Sequence, residues 1–147
     1  MNMKFPIKNV HKIVPKGWGK EVHVHNDTDY CCKLLHLNEG GQCSLHFHIQ
    51  KEETFYVLEG EVELEMFHDL KSEKIVLEKG ESIDVPRYLA HSFKGIKKSI
   101  ILETSTFDSA PDSIRIRAGD SQKPKTLPLD DEHFIEWEQK CNRIRGK

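Results

Sequence analysis

The stretch HFHIQKEETFYVLEG, residues 46–60, decides the fold. His46 and His48 stand two apart, so they share one face of a strand and leave Phe47 on the other face. Glu53 begins the next strand in phase with that strand's apolar positions. A carboxylate in phase with buried residues is costly unless it is paired or bound to a cation. Three groups that would each be costly alone therefore predict one shared metal site.

A second pair of alternating histidines, in the stretch EVHVHND, has no such companion. No carboxylate follows His23 and His25 at a comparable spacing. Val22 and Val24 alternate with them and can supply the buried face of the strand. We therefore predict that His23 and His25 face solvent. Without Glu53 in the next strand, His46 and His48 would be interpreted in the same way.

Alternating apolar and polar residues, broken by turn residues, recur along most of the chain. The segment TFYVLEGEVELEMF predicts a β-hairpin about Glu59-Gly60, and KIVLEKGESIDVP predicts a second strand pair about Lys79-Gly80. Strands at this spacing favour a sandwich or a small barrel. The pattern predicts a single all-β domain over residues 1–147, with the barrel core at roughly residues 18–106.

The remaining segment, residues 107–147, has a different pattern. It begins with loop-like sequence and ends with DEHFIEWEQKCNRI, which Asp130 or Asp131 can cap. The apolar residues of this stretch recur at three- and four-residue steps: Phe134, Trp137, Cys141 and Ile144. This period predicts a short C-terminal helix whose apolar face packs on the barrel or on a partner subunit.

The composition excludes several classes of partner. The chain has 147 residues, 37% of them hydrophobic, which is enough for one domain with its own core. Its 22 basic residues against 24 acidic ones predict no nucleic-acid partner and no membrane partner. No apolar run reaches the length of a membrane span, and the opening MNMKFPIKNV lacks a secretory signal. Four cysteines without CxxC spacing then predict reduced thiols in a cytoplasmic protein.

Two spaced motifs give the chain a resemblance to a known family. They read Gly40-x5-His46-x-His48-x4-Glu53-x6-Gly60 and Gly80-x5-Pro86-x4-His91. Both are similar to the motifs of the cupin family, although Tyr88 stands where that family often has glycine. The resemblance implies a cupin jelly-roll β-barrel, also called a double-stranded β-helix, with one divalent transition metal (Mn, Fe, Zn, Ni or Co). The metal ligands that it implies are His46, His48, Glu53 and His91.

Part of the chain is similar to the sugar-isomerase cupins. The spacing His46-x-His48-x-x-Lys51-x-Glu53 resembles the site of D-lyxose isomerase-like cupins. The ending IILETSTFDSAPDSIRIRAGD resembles that of type II mannose-6-phosphate isomerases. This resemblance implies a metal-dependent aldose–ketose isomerase with a sugar or sugar phosphate as its small-molecule substrate. The candidate proton-transfer groups are Lys51, Glu103 and Tyr88, and the candidate substrate-binding residues are Arg87 and Arg115.

Four of these residues also have a purely structural interpretation. Lys51 would be a lysine at a loop tip, and Glu103 would form a salt bridge at the barrel rim. Tyr88 would fill space in its turn, and Arg115 would hold the C-terminal segment in place. At the level of function, the same metal ligands serve iron-dependent cupin dioxygenases, and a non-catalytic sugar-binding cupin would use the metal to orient its ligand. We also expect a homodimer, because small cupins resemble one another in pairing their barrels through edge strands and terminal segments.

Overall fold

The computed structural model describes residue 8 and residues 10–122, and nearly all regular structure there is β-strand. Its strands are β1 Lys12–Lys16, β2 Gly19–Asn26, β3 Cys31–Leu37, β4 Leu45–His48, β5 Glu53–Glu59, β6 Glu61–His68, β7 Lys71–Glu78, β8 Ser82–Val85, β9 Ala90–Gly95, β10 Ser99–Ser105 and β11 Ser113–Arg117. Two short 3-10 helices, Ala110–Asp112 and Asp120–Gln122, follow β10 and β11. The predicted all-β class is confirmed, and the predicted C-terminal helix lies outside the described residues.

The strands form two antiparallel sheets. The six-stranded sheet has the order β1-β2-β3-β10-β5-β8, and the five-stranded sheet has the order β11-β4-β9-β6-β7. Consecutive strands such as β3, β4 and β5 alternate between the sheets, so the chain crosses the barrel repeatedly, as it does in a jelly roll. Strands β1 and β11 carry the sheets beyond residues 18–106, the range expected for the barrel core.

The two hairpins predicted about Gly60 and Gly80 are wrong. Strand β5 pairs with β10 and β8, whereas β6 pairs with β7 and β9, so the turn at Gly60 carries the chain from one sheet to the other. The turn at Gly80 likewise connects β7 to β8 of the opposite sheet. Both glycines have a positive φ, 85° and 89°, which only glycine adopts readily. A glycine turn of this kind can connect two strands of one sheet or strands of two different sheets. The turn residues therefore do not determine which strands pair.

The main hydrophobic core lies between the two sheets. It contains Leu35 and Phe55 from the six-stranded sheet and Leu64 and Phe93 from the five-stranded sheet. Trp18 meets Phe93 edge to face, with ring centroids 5.1 Å apart. Burying one side chain of this size contributes about 1.5–3 kcal/mol, so these contacts fix how the sheets face each other.

A second apolar cluster lies on the other face of the five-stranded sheet. Leu45 and Phe47 of β4 pack there with Ala90 of β9. Because side chains alternate along a strand, this cluster leaves His46 and His48 on the barrel side of β4. The phase predicted for β4 is therefore the one observed.

The expectation that His23 and His25 face solvent is wrong, because both side chains are half-buried, 26% and 28% exposed. Glu21 and His23 line the cavity between the sheets, which places Val22 on the outer face of β2. A register shift between His23 and His25 then takes His25 out of the cavity lining, and its ring stacks on Tyr30 at 4.1 Å. A β-bulge of this kind breaks the strict alternation that the valine and histidine pattern suggested.

Cys31, Cys32 and Cys43 are free thiols, as the sequence predicted for them. Burial raises the pKa of the Cys43 thiol to about 12, so this side chain behaves as a packing residue. Within the described part of the chain, no helix has the length and apolarity needed to span a membrane.

Candidate metal centre

Three histidines converge between the two sheets. His46 and His48 lie on β4, and His91 lies on the neighbouring β9, directly opposite His46 in the ladder. The potential ligand atoms of the three rings all lie within 4.8 Å of one another. His48 and His91 are 6% and 1% exposed. The structure thus brings three of the predicted ligands together in a cluster that can hold a metal ion.

Each of the three imidazoles is oriented by a backbone carbonyl. The Nδ1 atoms lie 2.9–3.2 Å from these oxygens: His46 from Ser44, His48 from Asp112 and His91 from Leu89. A carbonyl oxygen only accepts, so Nδ1 carries the proton in each ring. The lone pair of a neutral ring then lies on Nε2, the atom that would bind a metal.

Glu53 approaches the histidines from the opposite sheet. Its Oε1 lies 2.8 Å from Nε2 of His91 and 3.5 Å from Nε2 of His48. Burial alone would raise the pKa of Glu53, but the two histidines and the charge of Lys51 hold it well below its ordinary value. A carboxylate oxygen and a ring lone pair therefore face each other at 2.8 Å. This contact is unfavourable unless a proton or a cation lies between the two atoms.

The unpaired polar atoms of this region fit a divalent metal. Six buried side-chain nitrogens or oxygens of the described residues make no hydrogen bond, and five of them belong here: His48 Nε2, His91 Nε2, both oxygens of Glu53 and Oε2 of Glu103. Oε2 of Glu53 has only an ion pair, with Lys51. Burial, reinforced by the neighbouring histidines, holds the pKa of His46 well below its ordinary value, so this ring is in the neutral form that ligates. Three imidazoles and one carboxylate suit Mn, Fe, Co, Ni or Zn.

Lys51 is buried beside Glu53 and is not at an exposed loop tip. Its Nζ lies 3.1 Å from Oε2 of Glu53, 2.8 Å from Oδ1 of Asp108 and 3.7 Å from Oε1 of Glu103. Burial lowers the pKa of Lys51, but the three carboxylates outweigh it and raise that pKa above its ordinary value. Burial raises the pKa of Glu103 to about 8, against the opposing charge of Lys51. A charged donor and a largely protonated carboxyl group thus adjoin the candidate ligands.

Two aspartates organise this site, and the sequence predicted neither role. Asp108 lies between two lysines, with its oxygens 2.8 Å from Nζ of Lys51 and 2.7 Å from Nζ of Lys33. Asp112 accepts hydrogen bonds from the backbone of the turn after β4. Both aspartates belong to the stretch DSAPDS, whose composition predicted only a loop.

A cavity of about 320 Å³ leads to the histidines. Lys51, Glu103 and Arg115 are among the side chains that line it. Arg115 lies on β11 opposite His46, so the two side chains share the cavity face of the sheet. Three of the five predicted catalytic and substrate-binding residues therefore lie around one space.

Arg87 and Tyr88 lie in the turn before β9 and are not among the described residues that line this cavity. Nε of Arg87 donates to the carbonyl of Gln50 at 2.7 Å. Tyr88 has a φ of 70°, and its backbone N–H donates to the carbonyl of His48 at 2.8 Å. A positive φ is unusual for a residue other than glycine. Both residues shape the loop beside His48, and this geometry gives no support to their predicted roles in binding and proton transfer.

The sequence pattern of the Cupin family matches residues 20–131. The chain belongs to the cupin family. The two-sheet barrel and the histidine cluster of this cupin agree with the match, and the jelly-roll architecture implied by the sequence motifs is confirmed with it.

Curated relatives of this cupin include two mammalian 3-hydroxyanthranilate 3,4-dioxygenases. The chain is 26% identical to the Homo sapiens enzyme in an alignment of 116 residues that covers 72% of this chain and 41% of that protein. It is 25% identical to the Rattus norvegicus enzyme in an alignment of 117 residues that covers 73% of this chain and 41% of that protein. The chain therefore spans less than half the length of these relatives.

Several solved structures share the fold. KdgF from Halomonas sp. matches with a TM-score of 0.61 at 18% identity, over 75% of this cupin and 98% of that chain. A formate complex of Lactobacillus farciminis oxalate decarboxylase matches with a TM-score of 0.63 at 14% identity, over 76% of this cupin and 37% of that chain. The capsular polysaccharide assembling protein CapF from Staphylococcus aureus matches with a TM-score of 0.62 at 15% identity, over 74% of this cupin and 33% of that chain. At these identities the likeness shows the fold alone.

Proposed function

We propose that this cupin is a metal-dependent aldose–ketose isomerase that acts on a sugar or a sugar phosphate. The observation that carries the proposal is the placement of Lys51 and Glu103 against the candidate ligand Glu53, in a cavity lined by many charged side chains. An isomerase needs groups that move protons beside its metal. A wall of charged and hydroxyl groups also suits a polyhydroxylated substrate better than an apolar one.

The side chains have separate tasks in this proposal. The four predicted ligands hold the metal, which when bound polarises the carbonyl group of the substrate. In its ionised form, which is the minor form at neutral pH because burial raises its pKa to about 8, Glu103 takes a proton from one carbon of the substrate and returns it to the neighbouring carbon, through an enediol. Lys51 gives a proton to the carbonyl oxygen and recovers one from the adjacent hydroxyl group. The proton count is therefore unchanged over one cycle.

Isomerisation through an enediol has a direct isotopic signature. The metal-loaded protein is incubated in deuterated water with lyxose, mannose, xylulose, fructose and their phosphates, and the sugars are analysed by NMR. We expect deuterium at C1 or C2 of one substrate and of its isomer. Absence of exchange with every sugar would reject the isomerase. Tight sugar binding without turnover would instead favour a non-catalytic sugar-binding cupin.

An iron-dependent dioxygenase is the second candidate function. It is favoured by the curated relatives, whose names state that activity. Three histidines and a carboxylate also suit iron. The discriminating measurement is oxygen uptake by the iron-loaded protein with 3-hydroxyanthranilate or a catechol-like substrate. Oxygen uptake, together with no deuterium exchange into any sugar, would assign the dioxygenase.

A further inference from the structure

The cavity above the histidines carries an excess of positive charge. Its lining contains five cationic side chains and four carboxylates; the cations are Lys12, Lys16, Lys33, Lys51 and Arg115, and the carboxylates are Glu21, Glu53, Glu103 and Asp108. A divalent metal at the histidines adds two more positive charges. Lys12 and Arg115 are exposed to solvent, and a neutral substrate would leave the excess positive charge of the lining without a partner.

Most of these charges are already paired with one another. Lys33 and Lys51 share Asp108 at 2.7 and 2.8 Å. Lys16 lies 3.8 Å from Glu21, which also holds Lys33 at the same distance. These contacts leave two cations of the lining, Lys12 and Arg115, without an ion-pair partner among residues 10–122.

The three arginines of the described chain differ in what their side chains contact. Arg87 is occupied by the carbonyl of Gln50 and by Glu52, whose Oε2 lies 2.9 Å from its guanidinium. Arg117 is bound to Glu65 at 2.6 Å. The guanidinium of Arg115 has no hydrogen bond or ion pair with any described residue. Among the arginines of residues 10–122, Arg115 is thus the one whose guanidinium remains available to a ligand.

The ladder places Arg115 beside the candidate metal site. Its Cα partner on β4 is His46, and both side chains face the cavity. Cβ atoms of directly paired residues in an antiparallel sheet lie about 4.5–5.5 Å apart. A long guanidinium side chain that starts this close to a ligand histidine can reach a molecule that also contacts the metal.

We propose that the substrate is a small anion whose carboxylate or phosphate group is held by Arg115 and whose reacting end lies at the histidines. The planar guanidinium matches both groups through two parallel hydrogen bonds. The cavity of about 320 Å³ lies at the lower end of the range of about 300–1,000 Å³ for small-molecule sites, so it fits one compact molecule. This inference rests on the proposed isomerase and narrows its substrate to a sugar acid or a sugar phosphate.

The test is a binding experiment that does not require turnover. The metal-loaded protein is titrated in a calorimeter with glucuronate, glucose 6-phosphate and glucose. The same titrations are made with Arg115→Gln and with the matched control Arg117→Gln, which removes the same charge two residues away. We expect at least one acid to bind more tightly than glucose and to lose on the order of 10- to 100-fold in affinity in Arg115→Gln alone. The preferred acid then identifies a carboxylate or a phosphate as the recognised group.

Several results would overturn the anion site. These are equal affinities for glucose and for both acids, no binding of either acid, and equal losses in the two arginine variants. If Arg115→Gln does not fold, Lys12→Gln and the salt dependence of acid binding replace it, and insensitivity to both would also overturn the site. If the acids bind through Arg115 but no deuterium exchanges into them or into any sugar, the isomerase is rejected and the anion site is kept. Deuterium exchange into neutral sugars, at a rate unchanged in Arg115→Gln, would keep the isomerase and reject the anion site.

Discussion

Asp112 contacts His48 through its backbone carbonyl and the loop after His48 through its carboxylate. Its backbone carbonyl accepts a hydrogen bond from Nδ1 of His48 at 3.2 Å, although the two residues are 64 positions apart. Its carboxylate accepts the backbone N–H groups of Ile49, Gln50 and Lys51 at 2.9–3.2 Å. The 3-10 turn after β10 therefore fixes both a candidate ligand and the loop that carries Lys51.

Replacing Asp112 by alanine should weaken both the fold and the metal site. The substitution leaves three backbone donors without their acceptor, and one such buried group costs about 1–3 kcal/mol. The backbone carbonyl that orients His48 remains in this variant, but the turn that carries it loses its carboxylate contacts to the loop after β4. Disturbing a partner that orients a ligand typically lowers metal affinity by about 10- to 100-fold. Competition with a chelator measures that affinity, and thermal unfolding measures stability. Asp84→Ala is the control, because Asp84 accepts an exposed hydrogen bond from Thr54. Equal metal affinities in the two variants would contradict a positioning role for Asp112.

The double variant His46→Ala/His48→Ala should lose its metal. Both rings offer a ligand atom to the cluster with His91, and removing two of the four predicted ligands leaves too few donors for a divalent transition metal. Elemental analysis of the purified protein measures the metal content. His23→Ala is the matched control, since His23 lines the cavity but does not belong to the cluster. Unchanged stoichiometry in the double variant, or a large loss in His23→Ala, would show that the site is elsewhere.

The ligand cluster could be predicted because its information is local. His46 and His48 are placed on one face by the alternation of a single strand, and Glu53 by the phase of the next strand. The contacts of Asp108 and Asp112 could not be predicted in the same way. They arise only when the segment after β10 folds back against the loop after β4, and no periodicity marks that return in the sequence.

The pairing of the strands could not be predicted from the sequence pattern either. A glycine with positive φ, as at Gly60, reverses the chain equally well within one sheet or between two sheets. The register shift after His23 shows the same limit, because one extra residue exchanges the inner and outer faces of a strand. The apolar pattern thus predicted where strands occur, but not which strands pair.

Asp108 should make the stability of the protein depend on pH. Burial opposes its ionisation, but Lys51 and Lys33 outweigh burial and hold the pKa of Asp108 well below its ordinary value of 3.8. Because the folded pKa is the lower one, this stabilisation is present above the unfolded value and is lost as the pH falls through 3.8 towards the folded value. The difference in free energy of unfolding between the wild type and Asp108→Asn should therefore be largest near neutral pH and shrink in acid. Urea denaturation at several pH values measures it, and a constant difference would refute the assignment.

The protein should form a homodimer. Strands β1 and β8 are the edges of the six-stranded sheet in the described chain, and β11 and β7 are the edges of the five-stranded sheet. An edge strand presents unpaired backbone groups that a second copy can cover. Sedimentation at micromolar concentration should give twice the mass of the chain. A monomer under those conditions would contradict the prediction.

The proposed chemistry makes its sharpest prediction for Lys51 and Glu103. Both side chains lie beside the candidate ligand Glu53 and line the cavity, while neither belongs to the histidine cluster. Lys51→Ala and Glu103→Gln should therefore lower deuterium exchange and sugar turnover by a factor of about 10² to 10⁴ each, which is the usual cost of removing a proton-transfer group. Metal content should remain that of the wild type. Lys51→Ala also leaves buried carboxylates without their cation, so its unfolding is measured in parallel and turnover is compared well below the melting temperature.

The exposed ion pair of Lys79 and Glu59, 3.1 Å apart, supplies the controls Lys79→Ala and Glu59→Gln, which remove the same groups at residues that do not line the cavity. These controls should retain wild-type turnover, because an exposed pair contributes little even to stability. Normal turnover in folded, metal-loaded Lys51→Ala and Glu103→Gln would remove both residues from the chemistry. A matching loss of metal and turnover would instead assign them to holding the metal site. Only a loss of turnover at constant metal content supports proton transfer by these two side chains.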